Sequence, residues 1–322
     1  MTAPRQARAA TQRRRVLVTG AGGFIGRGCL PLLVAAGYDV HAVSSRAAPD
    51  PLPGVRWHRL DLLDPGAVTG LCDGVRATDL LHLAWVTTPG TYTRDATNLD
   101  WVAASLLLTR SFVEHGGRRI VGAGTCFEYA HGGDEPLAES TSPLLPSTLY
   151  GTSKVAAHAV IARFAEEAGV SSAWGRVFFL YGPREHPNRL VSSVILALLD
   201  GSEAACTVGT QVRDFLHVRD VAAAFVALLR SDVTGAVNVA SGEGVTVREL
   251  VMEIGDQLGR PELVALGARP LPPAEPSHIV ADVERLRREV GFEPTFGLRD
   301  GLRDSIAWWR RQRAGGDPVR SE

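Results

Sequence analysis

The stretch Val16-Leu17-Val18-Thr19-Gly20-Ala21-Gly22-Gly23-Phe24-Ile25-Gly26 decides the fold. An apolar, β-branched run enters three glycines spaced three apart, and a helical pattern over Gly26–Ala36 follows. Glycine at the first position permits a tight turn, at the second close backbone approach to a ligand, and at the third close packing of helix on strand. The helix then aims free N–H groups and the positive end of its dipole at that turn, where a pyrophosphate is stabilised. A strand before and a helix after distinguish this loop from a structural turn. Gly20, Gly23, Phe24, Ile25 and Gly26 are therefore candidate dinucleotide contacts.

The rest of the first half repeats the alternation. Strand-like runs lie at Arg15–Thr19, Asp39–Ser44, Asp79–Ala84, Arg119–Gly122 and Ser172–Leu180. Helical patterns lie at Gly26–Ala36, Asp95–His115 and Thr152–Ala168. Alternation of this kind predicts an α/β fold: a Rossmann-type doubly wound parallel sheet. The later helical patterns at Arg189–Asp200, Val221–Arg230, Val247–Leu258 and Leu298–Arg313 are joined by Pro-rich connections. They predict a smaller C-terminal substrate-binding domain over the strand ends. The expected division is a disordered lead-in (1–14), a dinucleotide domain (15–185, with 212–240 returning to it), a mainly substrate-binding domain (186–313) and a tail (314–322).

Bulk composition narrows the function classes. The formal net charge of −1 leaves no electrostatic footprint for nucleic acid or a membrane surface. No apolar run is long enough to span a bilayer. The four cysteines are scattered without a C-x-x-C pair, which fits free thiols in a reducing cytoplasm, and no metal-ligand spacing occurs.

The second strand ends in Ser44-Ser45-Arg46. An NAD-specific fold usually places a carboxylate there for the ribose hydroxyls. Ser and Arg instead can hydrogen-bond and neutralise a 2′-phosphate, so NADP(H) is favoured, with NAD(H) possible. The alternative for Arg46 is an ordinary solvated loop side chain. Asp61, after the third strand, can accept from an adenine amine or cap the segment that follows.

Of 34 basic residues, all but Lys154 are arginine. A chain that replaces lysine so thoroughly keeps an amine where a compact, rotatable donor is needed. Tyr150 lies one helical turn upstream on the same face. A cation against a phenol is expected to lower its pKa, which makes the two a candidate acid/base pair.

With Gly20-x-x-Gly23-x-x-Gly26 and Tyr150-x-x-x-Lys154, the chain resembles the extended short-chain dehydrogenase/reductase family, most closely its nucleotide-sugar epimerases, dehydratases and ketoreductases. The resemblance runs from about Arg14 to Arg313. It includes Asp61-Leu62, His82-Leu83-Ala84, Asn98, the run from Arg176 to Pro183, and the run from Arg213 to Val221. It implies that Thr125 completes a catalytic set with Tyr150 and Lys154. It implies further cofactor contacts from Leu62, Leu83, Ala84, Trp85, Asn98, Val177 and Phe178. It implies substrate contacts from Thr87, Thr125, Phe179, Arg189, Leu190, Val208, Arg213 and Glu275, with Arg213 gripping a nucleotide diphosphate and Glu275 on the nucleotide ribose. Family members commonly form homodimers through two helices, here Asn98–His115 and Thr152–Ala168.

Departures from the family pattern guide the reaction. Dehydratases carry an acidic pair after the catalytic Thr; here Cys126 and Phe127 stand there. Epimerases often have asparagine where this chain has Phe179. Cys126 has no evident histidine partner and reads as a packed thiol, and Glu128 as a solvated or hydrogen-bonded carboxylate. The expected activity is NADPH-dependent reduction of a nucleotide-linked 4-keto-6-deoxyhexose. The runner-up is an NAD-dependent nucleotide-sugar 4-epimerase, and a reading from another class is a non-catalytic NADP sensor or scaffold.

Overall fold

The computed structural model describes residues 14–46, 52–273 and 275–314. The expected lead-in and tail fall outside these residues except for Arg14 and Ala314. In chain order the strands are β1 (Arg15–Thr19), β2 (Asp39–Ser44), β3 (Val55–Arg59), β4 (Asp79–His82), β5 (Arg119–Thr125), β6 (Ser171–Val177), β7 (Phe179–Tyr181), β8 (Ala204–Ala205), β9 (Val212–His217), β10 (Gly235–Val239), β11 (Gly244–Thr246), β12 (Val264–Ala265) and β13 (His278–Ile279). The helices are α1 (Gly26–Ala35), α2 (Pro65–Val75), α3 (Thr97–Glu114), α4 (Leu149–Glu167), α5 (Leu190–Leu199), α6 (Val218–Arg230), α7 (Val247–Leu258), α8 (Glu284–Arg288) and α9 (Leu298–Ala314).

Among the described residues the main sheet has seven strands in the order β10-β6-β5-β4-β1-β2-β3, every neighbouring pair parallel. The chain winds outward from β1 to β3, returns to the other side of β1 at β4, and winds outward again. That reversal leaves a crevice between the carboxyl ends of β1 and β4, where doubly wound folds bind their ligands. Buried Val16, Val18, Val40, Leu81 and Val121 pack one face against α1 and α6. Leu17, Leu80, Ile120 and Trp174 pack the other against α2, α3 and α4. A second, smaller sheet gathers β7, β11 and β13 around β9. Beside it α5, α7 and α9 close on Ile195, Leu250, Ile254 and Trp309.

Several boundaries differ from the sequence reading, each for a local reason. β4 stops at His82 because the Ala84 amide bonds to the Thr19 hydroxyl (3.3 Å) instead of continuing the ladder. The run Ser172–Leu180 breaks at Phe178, the residue at which the chain leaves the main sheet for the second one. α4 starts at Leu149 rather than Thr152, since the Thr148 hydroxyl caps the Gly151 amide (3.1 Å); Tyr150 thus sits in the first turn. α2 escaped the sequence reading, because Gly66, Gly70 and Gly74 weaken its helical signal. Asp64 caps it at the Gly66 amide (2.9 Å), while burial of Val68, Leu71, Cys72 and Val75 holds it to the sheet.

Candidate active site

The glycine loop connects β1 to α1 at the carboxyl end of the sheet. Gly20 has φ +64°, and a Cβ there would stand 2.8 Å from the Ala84 amide nitrogen. At Gly26 a Cβ would run into the Gly20 carbonyl. No other residue fits either place without moving backbone. Helix α1 begins without a side-chain cap and without an acidic residue in its first turn. An uncapped helix N-terminus behind a glycine cradle fits a pyrophosphate. Arg27 donates from Nε to the Gly22 carbonyl of the same loop (2.5 Å).

The end of β2 is free of carboxylates at Ser44-Ser45-Arg46. The Ser44 hydroxyl accepts from the Arg46 amide (3.2 Å), and Ser45 and Arg46 are exposed. Asp61 is exposed beyond β3 and accepts from the Leu63 amide (3.0 Å); the cap of α2 is Asp64 instead. Leu62, Val177 and Phe178 reach the same edge through their backbone but turn their side chains into the core. Leu83 and Ala84 line the loop after β4. Asn98 is sealed from solvent: its amide donates to Tyr92 O (2.7 Å) and Asp95 O (2.8 Å) and its carbonyl accepts from Trp85 Nε1 (2.8 Å). With all of that capacity used, it holds the Tyr92 loop in place.

Thr125 ends β5, and Tyr150 and Lys154 project from the first turns of α4. The Thr125 hydroxyl lies near enough to the Tyr150 phenol to favour its ionised form. The Lys154 ammonium donates to the Ala123 carbonyl (2.8 Å) and lies 3.8 Å from the centre of the Trp85 ring, with the Tyr150 and Trp174 rings at 5.9 and 5.7 Å. Three aromatic faces thus surround the one internal amine. Burial pulls its pKa down to about 7, against the pull of Glu128.

The expected lowering of the Tyr150 pKa is not what the packing produces. Burial, reinforced by Tyr92 packed edge-on at 4.9 Å, holds the phenol well above its ordinary value, and the nearby Thr125 hydroxyl offsets only part. Desolvation opposes phenolate here, and the neighbouring Glu128 and Cys126 oppose it further. Cys126 is 1% exposed and burial pushes its thiol up to about 12, which leaves no nucleophile there.

Glu128 is not a solvated carboxylate. It is fully buried and accepts from the Thr125 amide (2.9 Å), Trp174 Nε1 (2.9 Å) and Arg176 Nε (2.7 Å). Sequence reasoning quoted Arg176 within a matching run but gave it no role; that run was the available signal. Tyr92 was missed altogether, since nothing in its local sequence points to Tyr150.

On the far side, Arg213 is 3% exposed, pairs with Glu275, and stacks 5.4 Å from the Phe179 ring. Glu275 therefore faces Arg213 itself. Arg189 lies over the Tyr92 ring (5.2 Å) and donates to the Thr87 carbonyl (3.2 Å), which joins the start of α5 to the loop that carries Thr87 and Tyr92. Leu190 and Val208 are exposed at 37% and 43%.

A family model described as NAD dependent epimerase/dehydratase family matches residues 16–240. This chain belongs to that family. Its members are nucleotide-sugar epimerases, dehydratases and reductases of the extended short-chain dehydrogenase/reductase type, and they use nicotinamide dinucleotides. The solved structure of MoeE5 with UDP-glucuronic acid and NAD is 32% identical, covers 92% of this chain and 99% of that one, and superposes with a TM-score of 0.80. The UDP-glucose 4-epimerase of Azospirillum brasilense is 29% identical over 92% of this chain and 92% of that protein. The dTDP-6-deoxy-L-talose 4-dehydrogenase (NAD(P)(+)) of Kitasatospora kifunensis is 28% identical over 94% of this chain and 96% of that protein. No helix among the described residues is long and apolar enough to cross a membrane.

Proposed function

We propose that this protein is an NADPH-dependent 4-ketoreductase acting on a nucleotide-linked 4-keto-6-deoxyhexose. The observation that carries the reading is Tyr150. It is a buried phenol that keeps its proton, beside the Thr125 hydroxyl and Lys154, with a thiol and a phenyl ring at positions 126 and 127. A phenol held neutral is loaded for donation, which is what carbonyl reduction requires. Elimination across the sugar ring needs carboxylates that Cys126 and Phe127 cannot supply. Similarity to a 6-deoxysugar 4-dehydrogenase, a reaction on the same carbon, supports the substrate class.

The Gly20–Gly26 loop would hold the pyrophosphate, Ser44, Ser45 and Arg46 the adenosine ribose with its 2′-phosphate, and Lys154 the nicotinamide ribose. The bound dinucleotide supplies the hydride. Thr125 orients the substrate carbonyl, and Tyr150 delivers a proton to the oxygen as charge develops there. Two hydrogen bonds converging on that oxygen are the main source of rate. Arg213 grips the diphosphate once Glu275 yields it. Helices α3 and α4 present an apolar groove lined by Leu106, Leu107, Val160, Ile161 and Phe164. We assign it to a homodimer, which light scattering at micromolar concentration tests.

The enzymatic test is incubation with NADPH and dTDP- or UDP-4-keto-6-deoxyglucose. One NADPH should be consumed per sugar reduced, and Tyr150→Phe should keep cofactor binding while losing roughly 10²- to 10⁴-fold in kcat. The UDP-glucose 4-epimerase relatives favour a second reading, epimerisation. A protein that purifies with tightly held NAD and interconverts nucleotide-sugars without net cofactor consumption would establish that reading instead.

A further inference from the structure

A run of aromatic rings leads from Phe127, beside Thr125 in the chain, to the anion grip at Arg213. Phe127 follows Thr125 by two residues, its amide bonded to the Thr125 hydroxyl (3.3 Å). Its carbonyl abuts Gly151, the neighbour of Tyr150, so closely that a Cβ on that glycine would strike it. The Phe127 ring meets Phe179 edge-on at 6.2 Å and His131 edge-on at 5.9 Å. Phe179 in turn lies 5.8 Å from Phe215 and carries the Arg213 guanidinium at 5.4 Å. Phe127, in the short 3-10 turn that follows β5, and Phe179, the first residue of β7, are both only partly buried. His131 has one ring nitrogen committed to the Cys126 carbonyl (3.1 Å). Glu128, the nearest carboxylate in the chain, is turned inward and fully bonded.

A sugar with its carbonyl at Tyr150 and its diphosphate at Arg213 must lie along this run. Neither phenyl ring can pair with a hydroxyl, whereas both can cover a methyl group. We propose that Phe127 and Phe179 form the specificity wall for the substituent at sugar C6, selecting methyl over hydroxymethyl or carboxylate. The inference rests on the nucleotide-sugar reading above and adds the residues that set the choice. An apolar surface rejects an added hydroxyl only modestly, so the expected preference is about 10- to 100-fold. A carboxylate, which would lose its hydration against the rings, is rejected more strongly.

The test measures binding, so it does not depend on turnover. Calorimetric titration compares dTDP-6-deoxyglucose with dTDP-glucose on the wild type, on Phe179→Asn, on Phe127→Ser and on the double variant, with dTDP alone as reference and thermal unfolding as the check on folding. The expected result is about 10- to 100-fold tighter binding of the 6-deoxysugar to wild type, shrinking to within about 3-fold in the double variant, while dTDP affinity is retained. If the wild type does not discriminate, or if the double variant discriminates as well as wild type, the wall is refuted. If the binding preference follows the rings but no 4-keto sugar is reduced with NADPH, the wall stands and the proposed reaction falls. If neither sugar nucleotide binds, both fall. Should the double variant unfold, the two single variants serve in its place: at least one is expected to lose part of the methyl preference, and wild-type discrimination in both would overturn the inference.

Discussion

Glu128 and Arg176 form a fully buried ion pair (2.7 Å), and the same carboxylate holds the Thr125 backbone amide (2.9 Å). The pair is therefore a brace for Thr125, the proposed catalytic threonine. Arg176 passes the brace onward to the Tyr129 hydroxyl (2.9 Å), which bonds Asn238 (2.8 Å) on β10. Glu128→Ala would leave a guanidinium buried without its partner, at a cost of about 3–5 kcal/mol. Glu128→Gln keeps an acceptor and should cost less. Urea unfolding measures both, and an alanine variant within about 1 kcal/mol of wild type would show that the brace carries no strain. If Thr125 orients the reacting carbonyl as proposed, the glutamine variant should lose kcat more than it gains in KM.

Lys154 should destabilise the fold in the pH range where it is charged. Its folded pKa is about 7 against 10.5 in the unfolded chain, so between those values the unfolded state binds more protons. The contribution of this residue to stability therefore rises with pH across that window. In Lys154→Met the slope disappears. Relative to wild type, the variant should gain at about pH 6.5 and lose that gain by about pH 9.5, with turnover abolished throughout. A stability difference that does not vary with pH would contradict the buried-amine account.

Acid should unfold the protein through its histidines. Burial lowers His41, His158 and His217 to about 4 and His82 to about 3. Each is held neutral in the fold and takes up a proton on unfolding, so stability present above about pH 6.5 is lost as pH falls toward 4. Glu185, raised to about 7 by burial beside Ser192, gives the opposite slope between its ordinary value and 7. Four histidines outweigh it. His158 stacks on Trp174 at 5.1 Å, so His158→Phe keeps the packing and should flatten the acid slope; an unchanged denaturation midpoint across pH 7 to 5 would argue otherwise.

The end of β2 sets a cofactor prediction. Wild type should bind NADPH more tightly than NADH, and Ser44→Asp with Arg46→Ala should reverse the order, because a carboxylate favours two free ribose hydroxyls and repels a 2′-phosphate. Fluorescence titration with each dinucleotide decides it. Equal wild-type affinities would remove the basis for the assignment.

The sequence by itself determined the dinucleotide fold, and it pointed to the glycine loop and to Tyr150 and Lys154 as candidate site residues. Those features are local: a strand, three glycines and a helix in register, or two side chains one turn apart, are set by backbone geometry within a few residues. The tertiary structure decided the rest. The chain break at Phe178, which carries Phe179 into a second sheet beside the strand that bears Arg213, depends on pairing with β9, more than 30 residues away. The pairing of Glu128 with Arg176 spans 48 positions, and the aromatic cage on Lys154 draws on Trp85 and Trp174. The raised phenol of Tyr150 follows from burial against Tyr92, a property of packing that no spacing in the chain encodes.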